Sequence, residues 1–223
     1  MKTLRIFFSL ICCISIVLIG CGSKSNSSPT NSSSNKTTAD NNNRKAELLS
    51  KNFQPLKVLN GILYVPKKGF KQLQEPKIYP NGGVALFGSV EKEVDNPKEL
   101  NLYNILVTFG KDESVKSMKP EEEETVLNNT FEAFWIGMKR NAKVATKHEL
   151  LSKGIYTNTH GKKYLKFVHI SGNPNRPKND SLCKTAIYIF GDTAYFIDIS
   201  AMKNFAQKHE DEFDVILDSF MVK

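Results

Sequence analysis

Cysteine, tryptophan and long apolar segments are scarce in this chain of 223 residues, which contains four cysteines and one tryptophan. Four cysteines are too few for a small disulfide-stabilised scaffold. The only long apolar run extends from Ile6 to Ile19, so a protein with several membrane-spanning helices is also excluded. The remaining composition, with 40% hydrophobic and 24% charged residues, is typical of a globular domain that has enough apolar material for a core.

The chain also lacks the short motifs that accompany common catalytic chemistries. It has no Gly-x-Ser-x-Gly elbow, no P-loop and no dinucleotide-binding fingerprint. Its histidines form neither His-x-His nor His-Glu-x-x-His, and no cysteine pair has metal-ligand spacing. These absences favour a non-catalytic protein, and we expect no metal and no cofactor. We expect structural roles for the four histidines, which are His148, His160, His169 and His209.

Three side chains in predicted strands are candidates for chemistry. Asp198 shares a strand face with Phe196, and a carboxylate among apolar neighbours has a perturbed pKa. We nevertheless expect this face to lie at the edge or end of a sheet, where Asp198 stays wet, and a perturbed carboxylate is the alternative. Cys183 begins an apolar strand, so we expect a buried small hydrophobe rather than a reactive thiol. His169 lies on the same strand face as Phe167, where we expect a satisfied and partly buried ring.

The first 20 residues have the three parts of a secretory signal peptide. Lys2 and Arg5 supply positive charge, an apolar run follows, and Gly20 is a small residue at the cleavage position. The apolar run has about 14 residues and is too short to cross a hydrocarbon core, which takes about 20. An uncleaved membrane anchor is the alternative.

The end of this segment, Leu18-Ile19-Gly20-Cys21, resembles the lipobox of bacterial lipoproteins. It directly follows the apolar run and directly precedes a tract of Ser and Asn. The resemblance implies cleavage after Gly20, a diacylglyceryl group on the thiol of Cys21, and a fatty acid such as palmitate on the new amine. Two or more acyl chains anchor a protein stably, so we expect a lipid anchor outside the bacterial cytoplasm.

Residues 21–44 then form the lipidated cysteine and a predicted flexible tether. The segment is almost entirely Ser, Asn, Thr, Gly and Lys, and it cannot offset the entropy of ordering because it has no large apolar residue. A coil of this length has a mean reach of about 25 Å. We expect residues 45–223 to form a single globular domain.

The net charge is +8, and it stays at +6 after Lys2 and Arg5 leave with the signal peptide. Excess positive charge favours contact with anionic lipid or wall polymer, although a Lys/Asn-rich genome explains it as well. The charges are dispersed and no recognition motif for nucleic acid is present. We expect membrane contact through lipid on Cys21, an envelope protein or polymer as partner, and no nucleic acid.

Hydrophobic periodicity predicts the architecture of the domain. Alternating or continuous apolar residues predict strands at 61–65, 84–90, 102–109, 163–171, 184–190 and 193–200. Pro120 and four following glutamates favour a helix start, and an apolar stripe at helical spacing follows. A second helix is predicted over 203–220. Because the strands are joined by hairpins without βαβ alternation, we expect an α+β domain with an antiparallel sheet flanked by helices.

Two segments of the domain resemble PsbP-like domains. Val65-Pro66, followed by Gly69-Phe70, is similar to the strand–Pro–x–Gly–aromatic opening of that family, and the chain closes with a similar Ser219-Phe220. The resemblance extends over roughly residues 57–223 and implies an α/β/α sandwich. The family includes photosystem accessory proteins, a Ran-binding regulator and many bacterial lipoproteins of unknown role. It implies no shared catalytic residues.

A long polar loop between two predicted strands is the candidate recognition segment, because loops of this length often bind a partner. An inert insertion is the alternative. We expect a non-catalytic binding module tethered to the membrane; the alternative is an envelope-associated hydrolase or a small-ligand carrier with a pocket between sheet and helices. The candidate recognition residues lie in the polar loop between the strands predicted at 163–171 and 184–190, and they are Asn173, Asn175, Arg176 and Lys178.

Overall fold

The computed structural model describes residues 51–67, 69–92, 99–112, 115, 119–141, 147–173, 175 and 180–222. The predicted signal peptide, Cys21 and the predicted tether lie outside the described residues. None of the helices in these ranges combines the length and the apolar character that a bilayer-spanning helix needs.

A seven-stranded antiparallel sheet forms the centre of the domain. Its strand order is β3-β4-β5-β9-β8-β7-β6, so β9 is flanked by three strands on each side. The predicted strands occur at the expected places, and most extend a few residues beyond the predicted bounds. The strands are β3 (Phe70–Tyr79), β4 (Gly82–Lys92), β5 (Glu99–Lys111), β6 (Lys147–Thr157), β7 (Lys163–Gly172), β8 (Ser181–Phe190) and β9 (Thr193–Met202).

A smaller antiparallel sheet packs beside it, in the order β1-β2-β10. Its strands are β1 (Phe53–Val58), β2 (Gly61–Pro66) and β10 (Met221–Val222). Gly61 is required here, because a Cβ atom at this position would lie 2.5 Å from the ring of Phe220. The end of the chain is thereby held against the first hairpin of the domain.

The long helix α1 (Glu123–Asn141) lies on one face of the large sheet and is preceded by a 3₁₀ turn at Pro120–Glu122. Acidic residues occupy its first turn, and Lys139 and Arg140 its last, which matches the helix dipole at both ends. The predicted apolar stripe is confirmed, because Leu127, Phe131 and Phe134 are buried.

The C-terminal segment contains two short helices, α2 (Lys203–Lys208) and α3 (Glu210–Asp218), so the prediction of one helix over 203–220 was wrong. His209 separates them with φ −116° and ψ 22°. Its backbone N–H closes α2 by donating to Ala206 O at 3.1 Å, and its ring stacks on Phe205 with centroids 4.1 Å apart.

Each face of the large sheet buries an apolar cluster. The α1 face includes Leu165, Phe167, Ile187 and Phe196. The opposite face, covered by α2, α3 and the small sheet, includes Tyr103, Ile105, Ile197 and Phe213. This is the expected α+β architecture, an antiparallel sheet between helical layers.

Candidate functional site

Antiparallel register places a row of polar side chains across the α1 face. His169 of β7 is opposite Cys183 of β8, and Cys183 is opposite Ser200 of β9. On the adjacent row, Thr185 is opposite Asp198. Side chains at alternate positions share a face, and Asp198 and Phe196 are two residues apart on β9, so these groups continue the apolar surface under α1. We call the polar strip the set of Asn104, His169, Cys183, Thr185, Asp198 and Ser200.

Asp198 occupies the middle of the central strand β9. Thr185 Oγ1 donates a 2.6 Å hydrogen bond to Asp198 Oδ1. Burial raises the pKa of Asp198 to about 6, and the hydrogen bond from Thr185 opposes this shift. The expectation that Asp198 lies at the edge or end of a sheet was wrong, because β9 is the central strand, and the raised pKa agrees with the alternative of a perturbed acid.

His169 and His148 lie side by side at one end of the strip, with ring centroids 6.1 Å apart. Both Nδ1 atoms are buried, and neither has a hydrogen-bond partner among the described residues. Burial lowers the pKa of His169 to about 3, and burial followed by the charge of Lys139 lowers that of His148. Trp135 contacts His169 edge-on at 5.7 Å. The ring of His169 is therefore neutral and unsatisfied, contrary to the expectation of a satisfied histidine.

Cys183 is a buried free thiol. Burial, and after it the charge of Asp198, raises the pKa of Cys183 well above its ordinary value. No hydrogen bond joins Cys183 to His169 in the described part of the chain. An activated nucleophile needs a lowered pKa or a bonded base, so this thiol is not one. The described ranges also contain no group of three or more His, Cys, Asp or Glu arranged to hold a metal ion.

The candidate recognition loop leaves the sheet at the end where His148 and His169 lie. Asn175 donates its backbone N–H to Asn173 Oδ1 at 2.9 Å, while Arg176 and Lys178 lie outside the described residues. At the loop's far end, Asp180 Oδ1 is buried without a partner among the described residues. All three unpartnered buried side-chain atoms of the described chain are thus on residues of this sheet end.

The other two histidines lie away from the strip. His160 is exposed in the turn between β6 and β7. His209 packs between the two C-terminal helices, with Nδ1 3.4 Å from Glu212 Oε2. Neither faces another candidate group.

A second charged cluster lies on the opposite face and secures α3. Asp214 Oδ1 accepts hydrogen bonds from Lys166 Nζ at 3.0 Å and from Lys184 Nζ at 3.3 Å. Burial alone would raise the pKa of Asp214, but the two ammonium groups outweigh it and hold that pKa below its usual range. Tyr188 donates to Leu217 O at 2.7 Å. These contacts are structural, because they join α3 to the sheet.

Comparison with solved structures identifies the arrangement. The solution structure of cyanobacterial PsbP (CyanoP) from Synechocystis sp. PCC 6803 superposes with a TM-score of 0.52 and 13% identity, over 77% of this chain and 93% of that one. The fold is PsbP-like. This agrees with the resemblance seen in the sequence, and at this identity it establishes the fold alone.

Two further structures are similar at lower scores. The Ran-binding protein Mog1p of Saccharomyces cerevisiae has a TM-score of 0.44 and 15% identity, over 77% of this chain and 95% of that one. A protein of unknown function from Pseudomonas aeruginosa has a TM-score of 0.41 and 9% identity, over 77% and 98%. The amino-acid sequence itself matches no protein-family profile and no curated protein.

Proposed function

We propose that this chain is a lipoprotein, anchored to the outer face of a bacterial membrane through Cys21, whose PsbP-like domain is a non-catalytic binding module. The anchor is supported by the lipobox-like sequence that ends at Cys21 and by the polar tether of residues 21–44. Together they would hold the folded domain of residues 45–223 clear of the lipid headgroups.

The observation that carries the binding role is the state of the polar strip. Cys183 is buried, its pKa is raised, and it lacks a hydrogen bond to His169. A site that offers hydrogen-bonding groups without an activated nucleophile is suited to recognition, which supports a binding role. The loop that includes Asn173 and Asn175 adjoins the sheet end where three buried polar atoms have no partner within the described part of the chain. Unsatisfied groups concentrated at one place are a feature of functional surfaces.

Affinity capture from the detergent-solubilised envelope tests this function. The native chain should recover a specific envelope protein or polymer, and a Cys21→Ser chain should recover less because it is not anchored beside its partner. A double substitution of Arg176→Ala and Lys178→Ala, on the proposed recognition loop, should abolish capture while the anchor is retained. Failure to recover any partner above the Cys21→Ser control would contradict the proposal.

A small-ligand carrier is the second candidate function. The half-buried carboxylate of Asp198 favours it, because an ionisable group held in the central strand beside a helix can fix the orientation of a ligand. The carrier and the macromolecular binder are distinguishable, since a carrier binds a small molecule without an envelope extract.

A further inference from the structure

Only one oxygen of the Asp198 carboxylate accepts a hydrogen bond from a side chain of the described residues. Oδ1 accepts the hydroxyl of Thr185, and no other hydrogen bond or ion pair of Asp198 occurs among the described residues. Asp198 is only half-buried, and its other oxygen, Oδ2, is not among the fully buried side-chain atoms that lack a partner, so this oxygen keeps some contact with solvent. An acceptor that is reachable and unpaired is thus available on this face.

No cation of the described chain neutralises this acid. Lys184, on the adjacent strand β8, points to the opposite face and bonds to Asp214. Lys139 of α1 lies over the ring of Trp135 at 5.2 Å, and Lys153 of β6 pairs with Glu132. The titratable groups that share the face are the thiol of Cys183, whose pKa burial raises, and the rings of His169 and His148, whose pKa values burial lowers. None of the ionisable groups named here neutralises the charge of Asp198.

Among the described residues, the face is covered less closely beside Asp198 than beside His169. Helix α1 packs on β7 and β8 and therefore covers the His169 end of the strip most closely. On β5 and β9, by contrast, Asn104, Leu106 and Ser200 are only half-buried. This is the part of the described sheet that a small molecule would reach beside α1, and the hydroxyl of the half-buried Ser200 adds a further polar atom there.

A ligand with a positive charge gains most from this arrangement. A partly desolvated carboxylate attracts a cation more strongly than an exposed one does, and an ammonium N–H gives Oδ2 the donor that the fold does not provide. A lone carboxylate is a poor metal site, because hard cations take six or more oxygen ligands. A primary ammonium group needs only acceptors, and carboxylate, hydroxyl and amide oxygens are acceptors.

We propose that Asp198 is the recognition residue for a small molecule that carries a primary ammonium group, bound against the open part of the polar strip. This deepens the carrier function and rests on it, but it requires neither the lipid anchor nor an envelope partner. Envelope capture can therefore succeed when ammonium binding fails, and the reverse also holds.

Isothermal titration calorimetry of the full chain in detergent micelles tests the proposal. The probe is n-butylammonium chloride, and n-butanol is the uncharged control of similar shape. Because a bound cation lowers the pKa of Asp198 from about 6, binding at pH 6 should release up to about half a proton per ligand. Titrations in two buffers with different ionisation enthalpies measure this release, which should vanish at pH 8. n-Butanol should release no proton.

Two variants separate recognition from folding. Asp198→Asn keeps an acceptor for Thr185 and should lose both the binding of n-butylammonium and the proton release. Asp192→Asn, in the β8–β9 turn, removes the same charge away from the strip and should behave as the native chain does. Equal binding by native chain and Asp198→Asn, or no binding of the amine by the folded native chain, would overturn the proposal.

Carboxyl ¹³C NMR of the native chain gives a test that needs no variant. The apparent pKa of Asp198 should fall by at least about one unit when n-butylammonium saturates the site. An unchanged Asp198 titration at saturating amine would also overturn the proposal, whatever the behaviour of the variants.

Discussion

Thr185 and Asp198 face each other across strands β8 and β9, and the threonine hydroxyl donates to the carboxylate at 2.6 Å. This bond fixes an acid in the middle of the sheet without neutralising it. Burial raises the pKa of this carboxylate to about 6 in the folded chain, and the hydrogen bond from Thr185 opposes the shift. Ionisation of Asp198 therefore destabilises the fold, whereas the proposed recognition of an ammonium group needs the ionised carboxylate.

Replacement of Asp198 by Asn should stabilise the chain above pH 6. The folded pKa of about 6 exceeds the unfolded value of 3.8, so the unfolded state favours ionisation and stability falls as pH rises between these values. The native chain should lose about 2 kcal/mol of unfolding free energy from this group between pH 4 and pH 7. Urea unfolding at several pH values should show this loss in the native chain and not in Asp198→Asn. Parallel curves for the two chains would contradict it.

Acid should destabilise the chain through His169. Its folded pKa of about 3 lies below the unfolded value of 6.5, so its stabilising contribution is complete above pH 6.5 and is lost as pH falls towards 3. The loss should be about 2 kcal/mol by pH 5. Trp135 is the chain's single tryptophan and contacts this ring, so its fluorescence reports the transition. His169→Phe should shift the acid midpoint downwards, and the exposed His160→Gln should not; equal shifts would contradict the assignment.

Replacement of Asp214 by Asn should cost about 3–5 kcal/mol, because it leaves the buried Lys184 without its ion-pair partner. Glu132→Gln is the matched control, since it removes an acid from the more exposed pair with Lys153 and should cost less than about 1 kcal/mol. Chemical denaturation of both variants at pH 7 measures the difference. Similar losses of unfolding free energy in the two variants would contradict the expectation that the more buried ion pair stabilises the fold more.

Cys183 should be unreactive in the native chain. The thiol is buried and its pKa is raised, so little thiolate is available to attack an alkylating reagent. Peptide mapping by mass spectrometry after iodoacetamide treatment should find Cys183 unmodified at pH 7.5 and fully modified in denaturant. Rapid modification of Cys183 in the folded chain would contradict this prediction.

The central strands were predictable from sequence because both of their faces are covered. In residues 102–109 every second residue from Tyr103 is apolar, and the buried positions Tyr103, Ile105 and Val107 are those that this period indicates. Strands β3 and β6 were not predicted, because they are the two edges of the large sheet and most of their side chains are exposed. An edge strand can be largely exposed, so its sequence need not show the apolar alternation by which a strand is recognised.

The site was predictable only in part. Period-two alternation correctly placed Asp198 on the apolar face of Phe196. The place of Asn104 in the polar strip could not be predicted, because it depends on the pairing of β9 with β5, a strand about 90 residues away in sequence. The histidine pair was missed because His148 lies on the edge strand β6, which was not predicted.

Intact-mass spectrometry of the mature protein, extracted from its native membrane, tests the proposed anchored binding module most directly. We predict a chain that begins at Cys21 and carries a diacylglyceryl group, with further mass if the new amine is acylated. An unmodified chain that retains residues 1–20, or a mature chain whose Cys21 is free of lipid, would contradict the proposal.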